Sequence, residues 1–238
     1  MSEWKAKRFW KEARVTEAPG GFGVTLDDRP VKTPAKSALV LPTRAMARAV
    51  AAEWDAQEDE IRPTTMPVTR AANAAIDKVA HQRVEVAAML AEYGDSDLLC
   101  YRADSPAELA RRQGAAWDPL LDWADATFGA RLVPVLGVVH APQDARALRR
   151  LAREVHAMDP FRLTAFHDLV GLSGSLVIGL AAVRGARNIG TLWQLSRVDE
   201  TWQEEHWGID EEARAQAARK ESDFVAAKRF HDLAQAPD

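Results

Sequence analysis

Apolar positions recur with a period of two at the start of this chain and with a helical period over most of the remainder. Arg8 to Leu41 reads as β structure. The segment RFWKEARVTEA holds a first strand, Pro19-Gly20-Gly21 turns the chain, and Phe22, Val24 and Leu26 alternate onto one face of a second strand. Asp27-Asp28-Arg29-Pro30 is a second turn, and Ala38 to Leu41 a further short strand. From Pro42 the period changes: Thr43 is placed to cap a helix over Ala45–Gln57, with Met46, Val50 and Trp54 at i, i+4 and i+8. Ile61 to Pro67 is an extended link, because each of its prolines disfavours helix in the preceding residue.

That link divides the chain into a small β-rich α+β domain, residues 1–66, and a larger all-helical domain, residues 67–238. The fold class is therefore α+β. In the second part, helix is expected over Val68–Ala80 and Gln82–Tyr93, and Asp95-Ser96-Asp97 caps the short segment LLCYR. Pro106 opens the next helix, and the Asp118-Pro119 step should kink or restart it. Leu132–Val139 is a short strand or extended loop, and Pro142–His156 a charged amphipathic helix. Asp159-Pro160 opens another helix, Ser175–Val183 is apolar all round and belongs in the interior, and Asp210–Leu233 is a polar helix.

The stretch from Trp193 to Gly208 reads as one helix with two unlike faces. Leu192, Leu195, Val198 and Trp202 share a core stripe; Trp193, Glu200, Glu204 and Trp207 fall opposite, with Gln203 at the edge. Carboxylates at i, i+4 repel by a few tenths of a kcal/mol, so that face gives the helix nothing by itself. Either neighbouring helices cover the tryptophans and the acids are solvated, or the face docks a partner.

Composition narrows the chemistry. A chain of 238 residues that is 47% hydrophobic and 28% charged is globular. Its net charge of −4 provides no global basic field for nucleic acid, and the pairs Arg111-Arg112 and Arg149-Arg150 read as solvated helix faces. One cysteine, Cys100, excludes an internal disulfide and reads as a buried small hydrophobe. No two of the six histidines stand at i, i+4, so no helical metal pair is present. Gly20, Gly21 and Gly23 lack the Lys-Ser/Thr of a phosphate loop. Gly171-Leu172-Ser173-Gly174-Ser175 follows a helix where a nucleophile elbow follows a strand, and reads as small residues for close helix packing. No cofactor or metal site emerges. The longest apolar run, Ser175–Val183, is well short of the ~20 residues that span a bilayer, and the N-terminus has no apolar core of a secretory signal. A cytoplasmic protein, or one whose leader has been removed, without stable membrane insertion, is the expectation. These observations favour a binding protein; the rival is a small-molecule enzyme using Glu200, Glu204 and His206 in an interdomain cleft.

The ordered blocks RFWK (Arg8–Lys11), LDDRPVKTPAK (Leu26–Lys36), EWDAQ (Glu53–Gln57), IRPTTMPVTRAANAAID (Ile61–Asp77), DLLCYRA (Asp97–Ala103) and DETWQEEHWGIDEEA (Asp199–Ala213) resemble the assembly chaperones of the F-type ATP synthase α subunit, found in mitochondria and some bacteria. Asp28, Ala71 and Ala74 depart from that family's usual residues. The resemblance implies a small N-terminal α+β domain before a helical one, and no catalysis. It implies binding of the unassembled α subunit, cover of the surface that later meets the β subunit, and release on assembly. The partner-binding residues it suggests are Glu200 and then Glu204, with Trp193, Gln203 and Trp207 beside them. Trp54, Pro67 and Arg70 look structural, Arg70 as a pair for a buried carboxylate. A bacterial member acting as a cytoplasmic monomer fits these features, the mitochondrial matrix being the setting of organellar relatives.

Overall fold

The structure is a computed structural model and describes residues 7–237. β1 (Ala13–Ala18) pairs antiparallel with β2 (Gly21–Leu26), placing Val15 opposite Val24. At the turn, a Cβ on Gly21 would lie 2.2 Å from the Leu41 carbonyl oxygen, so only glycine fits. Phe22 and Leu41 exchange backbone hydrogen bonds of 2.9 and 2.8 Å, which holds the third extended segment against β2. β3 (Arg29–Pro30) adds a short antiparallel pair to β2. α1 (Arg44–Asp55) starts where Thr43 Oγ1 accepts from the Met46 amide at 3.1 Å. α2 (Pro67–Asp77) has Pro67 in its first turn, where the missing N–H costs nothing. Val24, Leu26 and Leu41 pack with Met46, Val50, Val68 and Ala72 in one core. Each large apolar side chain so buried contributes roughly 1.5–3 kcal/mol.

The blocks that carry the resemblance in this region are mostly fastenings. Arg8 donates to the carbonyls of Trp10, Lys11, Asp55 and Gln57. Glu53 accepts from the Val68 and Thr69 amides, both at 2.8 Å, and from the Thr69 hydroxyl at 2.7 Å. It thereby caps α2 from α1 and supplies a negative charge at its N-terminus. Asp77 accepts from Thr33 Oγ1 at 2.6 Å and the Ala35 amide at 3.1 Å, fixing the Thr33-Pro34 turn. Trp54 meets Trp10 edge to face at 5.3 Å beside the core. Arg70 is exposed and has no carboxylate within ion-pair distance among the described residues, contrary to the expected pairing. The nearby carboxylate, Glu53, is already satisfied by backbone donors.

The helical remainder runs α3 (Arg83–Glu92), β4 (Tyr101–Arg102), α4 (Ala107–Phe128), β5 (Val135–Leu136), α5 (Ala145–His156), α6 (Pro160–Ser173), α7 (Leu176–Val183), α8 (Ile189–Leu195), α9 (Val198–Trp207) and α10 (Glu211–Leu233). β4 and β5 pair in parallel, so this part is not purely helical. α4 passes through Pro119 as a single helix, so of the kink or restart expected there the restart does not occur. α7 is buried from Leu176 to Ala182, as its uniform apolarity predicts. Asp97 is fully buried, and accepts from the Leu99 and Val177 amides at 3.0 Å each. Burial pushes its carboxyl up to about 6 against those hydrogen bonds, which lower it.

Gly171 faces open space, so the expected close packing does not occur there. Gly174 instead turns the chain at φ +70, and Ser175 Oγ accepts from the Ile178 amide to start α7. Close approach occurs at Gly179, where a Cβ would stand 2.7 Å from Val170 Cγ2.

Two compact units result. The first takes in the described chain up to Arg83, then Asp159–Ala165 and the chain from Arg229; the second is Val84–Met158 with Phe166–Lys228. The boundary expected at residue 66 therefore falls inside the first unit. The reason is local: α2 packs on α1 and contributes Val68 and Ala72 to the same core as the strands.

Candidate partner-binding surface

The stretch expected as one helix is two. α8 ends at Leu195, Ser196 Oγ donates to the Trp193 carbonyl at 2.7 Å, and α9 begins at Val198. The Leu195 carbonyl accepts the indole N–H of Trp117 at 2.7 Å. The break separates Trp193 from the face it was assigned to. Trp193 is 5% exposed, packs on Phe224 at 5.7 Å, and has the Arg197 guanidinium 5.8 Å from its ring.

α9 lies on α4 through polar fastenings. Gln113, buried in α4, donates to Asp199 Oδ1 at 2.7 Å and accepts from the Ala103 amide at 2.7 Å. Arg112 makes two hydrogen bonds to Glu205, of 2.5 and 2.8 Å. The Arg112 guanidinium holds the Glu205 carboxyl below its ordinary range. Trp202 is buried and stacks on His206 at 4.0 Å, while His206 Nδ1 sits 2.8 Å from the Trp202 carbonyl. Glu200 pairs with Arg197 at 2.6 Å.

What α9 leaves outward is narrower than the expected set. Gln203 is exposed and Glu204 half-buried, with no ion-pair partner for Glu204 among the described residues. Trp207 is 78% exposed and Ile209 55%, on either side of Gly208, whose φ of +91 ends the helix.

A second exposed apolar group was not singled out as a site from the sequence. Leu136, Val138 and Val139 are 73%, 90% and 78% exposed. Their loop is held at its base: Gln143 exchanges hydrogen bonds with both backbone groups of Val133, and the Gly137 amide donates to the Arg102 carbonyl at 2.8 Å. Its apolar composition was visible; its exposure was not, because a short apolar run in sequence looks the same buried or exposed.

His206 is engaged with Trp202 and Glu200 with Arg197. No cluster of three or more metal-ligating side chains occurs among the described residues. Burial pushes the Cys100 thiol up to about 12, which keeps it protonated. Among the described residues no helix is long and apolar enough to cross a membrane.

The fold is an α+β scaffold with large apolar side chains left exposed at Trp207, Ile209, Leu136, Val138 and Val139. The chain belongs to the ATP12 chaperone family, whose model matches residues 7–125. It is a chaperone of ATP synthase assembly. Over 219 residues it is 24% identical to the mitochondrial protein atp12 of Schizosaccharomyces pombe, covering 87% of this chain and 75% of that one. The crystal structure of Atp12 from Paracoccus denitrificans matches with a TM-score of 0.95 and 51% identity, over 98% of this chain and all of that one. An aspartate-to-lysine mutant of the same protein matches equally well. The Atu1473 protein of Agrobacterium tumefaciens matches with a TM-score of 0.91 and 41% identity, over 95% of this chain and 85% of that one.

Proposed function

We propose that this chain binds the unassembled α subunit of the F-type ATP synthase, covers its β-facing surface, and is displaced when the β subunit docks. The reading rests on family membership, and the observation that carries it to particular residues is the exposed Trp207 near Glu204, which has no ion-pair partner among the described residues. An unassembled subunit with an apolar interface is prone to aggregate. A chaperone for it must hold that surface with an affinity low enough to exchange. A few aromatic anchors give holding area, and adjacent charges set orientation more than strength. Trp207, Ile209, Glu204 and Gln203 supply such a mixture; Glu200 contributes through its pair with Arg197, and Trp193 by supporting α8 from within. The exposed Leu136, Val138 and Val139 are a second apolar contact on the same reading. The protein acts without catalysis, as a monomer, in the compartment where the α subunit is made or imported.

Co-expression of the α subunit with and without this chain tests the proposal. Soluble α subunit that co-purifies with the chain, and is released from it by added β subunit, is the expected result. Unchanged α solubility with no co-purification overturns it.

A further inference from the structure

The basic side of α5 was expected to be an ordinary solvated face, yet its charges are arranged at a cost. Arg146, Arg149, Arg150 and Arg153 sit on one side of a twelve-residue helix within a chain of net charge −4. At 100° per residue they occupy one side of the helix, and Arg146–Arg149, Arg146–Arg150 and Arg149–Arg153 are like-charge neighbours at i, i+3 or i, i+4. Arg146 also lies in the first turn, where the helix dipole disfavours a cation. The opposite side is occupied: Ala147, Leu151 and Val155 are buried.

Internal partners neutralise only part of this charge. Arg150 donates to the Gly129 carbonyl, and Glu154 pairs with Arg184 on α7's C-terminal side. Asp144 caps α5, its carboxylate taken by the Arg146 and Ala147 amides. Those amides, Ala147 first, and then the charges of Arg146 and Arg149, hold its carboxyl below the ordinary range. Among the described residues, Arg146, Arg149 and Arg153 have no carboxylate within ion-pair distance. Together with Arg150, Ala152 and His156 they line a surface depression of about 800 Å³.

We propose that this stripe docks an acidic polypeptide segment. Arg146 to Arg153 spans roughly 10 Å at 1.5 Å per residue, which suits several carboxylates along one chain and exceeds a single anion. Arginine forks match carboxylates two hydrogen bonds at a time. The depression has no Phe, Tyr or Trp on which bases would stack. The buried apolar side leaves nothing to insert into a lipid surface. The site needs no residue of α9 and stands whether or not the α subunit is the client.

The experiment uses the full chain and a fluorescein-labelled peptide of about 12 residues rich in Asp and Glu, about the length of the helix. Fluorescence anisotropy is read at about 50 and 300 mM salt. The variant R146E/R149E/R153E should weaken binding at least about tenfold. A control, R48E/R70E/K220E, makes the same charge change at exposed positions elsewhere and should weaken it less than about threefold. Equal loss in both variants, no loss in the first, or no binding by the native chain overturns the proposal. So does tighter binding of an oligothymidylate of similar length, or of phosphatidylglycerol vesicles, than of the peptide. Circular dichroism of both variants establishes that they remain folded.

Discussion

Gln113 on α4 holds Asp199 on α9 with a 2.7 Å hydrogen bond from its amide nitrogen, while its amide oxygen receives the Ala103 N–H at 2.7 Å. The glutamine is 2% exposed, so losing the carboxylate strands a buried donor. Asp199→Ala is expected to cost about 1–3 kcal/mol in urea unfolding. Asp199→Asn keeps an acceptor and should cost less. Glu200→Lys, at a half-exposed side chain, should stay within about 0.5 kcal/mol yet weaken α-subunit rescue. Equal destabilisation by the Asp199→Ala and Glu200→Lys changes would contradict this division of roles.

The two tryptophans first placed on one face should behave oppositely. Trp193→Ala removes a side chain packed on Phe224 and should cost about 3–5 kcal/mol. Trp207→Ala removes an exposed one and should leave the melting temperature nearly unchanged while reducing recovery of soluble α subunit. A large stability loss at Trp207, or none at Trp193, would show the surface to be misassigned.

Glycine effects should separate by position along α6 and α7. In Gly179→Ala the new Cβ would meet Val170 at 2.7 Å and Phe166 at 3.0 Å, with an expected loss of about 1–3 kcal/mol. Gly171→Ala meets nothing within 4 Å and lies in a helix, so a gain of up to about 1 kcal/mol is expected. Thermal unfolding of both variants reads the contrast.

Asp97 gives the protein a pH dependence of defined sign. Its folded carboxyl titrates at about 6, above the ordinary 3.8 of an unfolded chain. Between those values the folded state holds a proton that the unfolded state has lost. Stability from this group therefore falls as pH rises from about 4 to 6 and levels off above, by up to about 3 kcal/mol in all. The stability of Asp97→Asn relative to the native chain should accordingly rise across that window. Urea titrations that give a constant difference from pH 4 to 6 would refute the assignment.

Much of this molecule follows from local patterns. The alternation of Phe22, Val24 and Leu26 makes β2, Thr43 caps α1, Pro67 opens α2, and the uniform apolarity of Leu176–Ala182 sends α7 to the interior. Each is set by groups a few residues apart, so the sequence by itself determined them and the α+β class. The ordered motifs likewise determined the family. Tertiary partners decided the rest. Nothing between Trp193 and Trp207 is a helix breaker by composition; the chain divides at Ser196-Arg197, with the Leu195 carbonyl bonded to the Trp117 indole from α4. That break turned one supposed face into a buried side chain at Trp193 and an exposed one at Trp207. Glu53 and Gln113 became caps and clamps for the same reason: their hydrogen-bond partners lie on segments distant along the chain or on other elements, and only folding brings together polar groups that burial would otherwise leave unsatisfied.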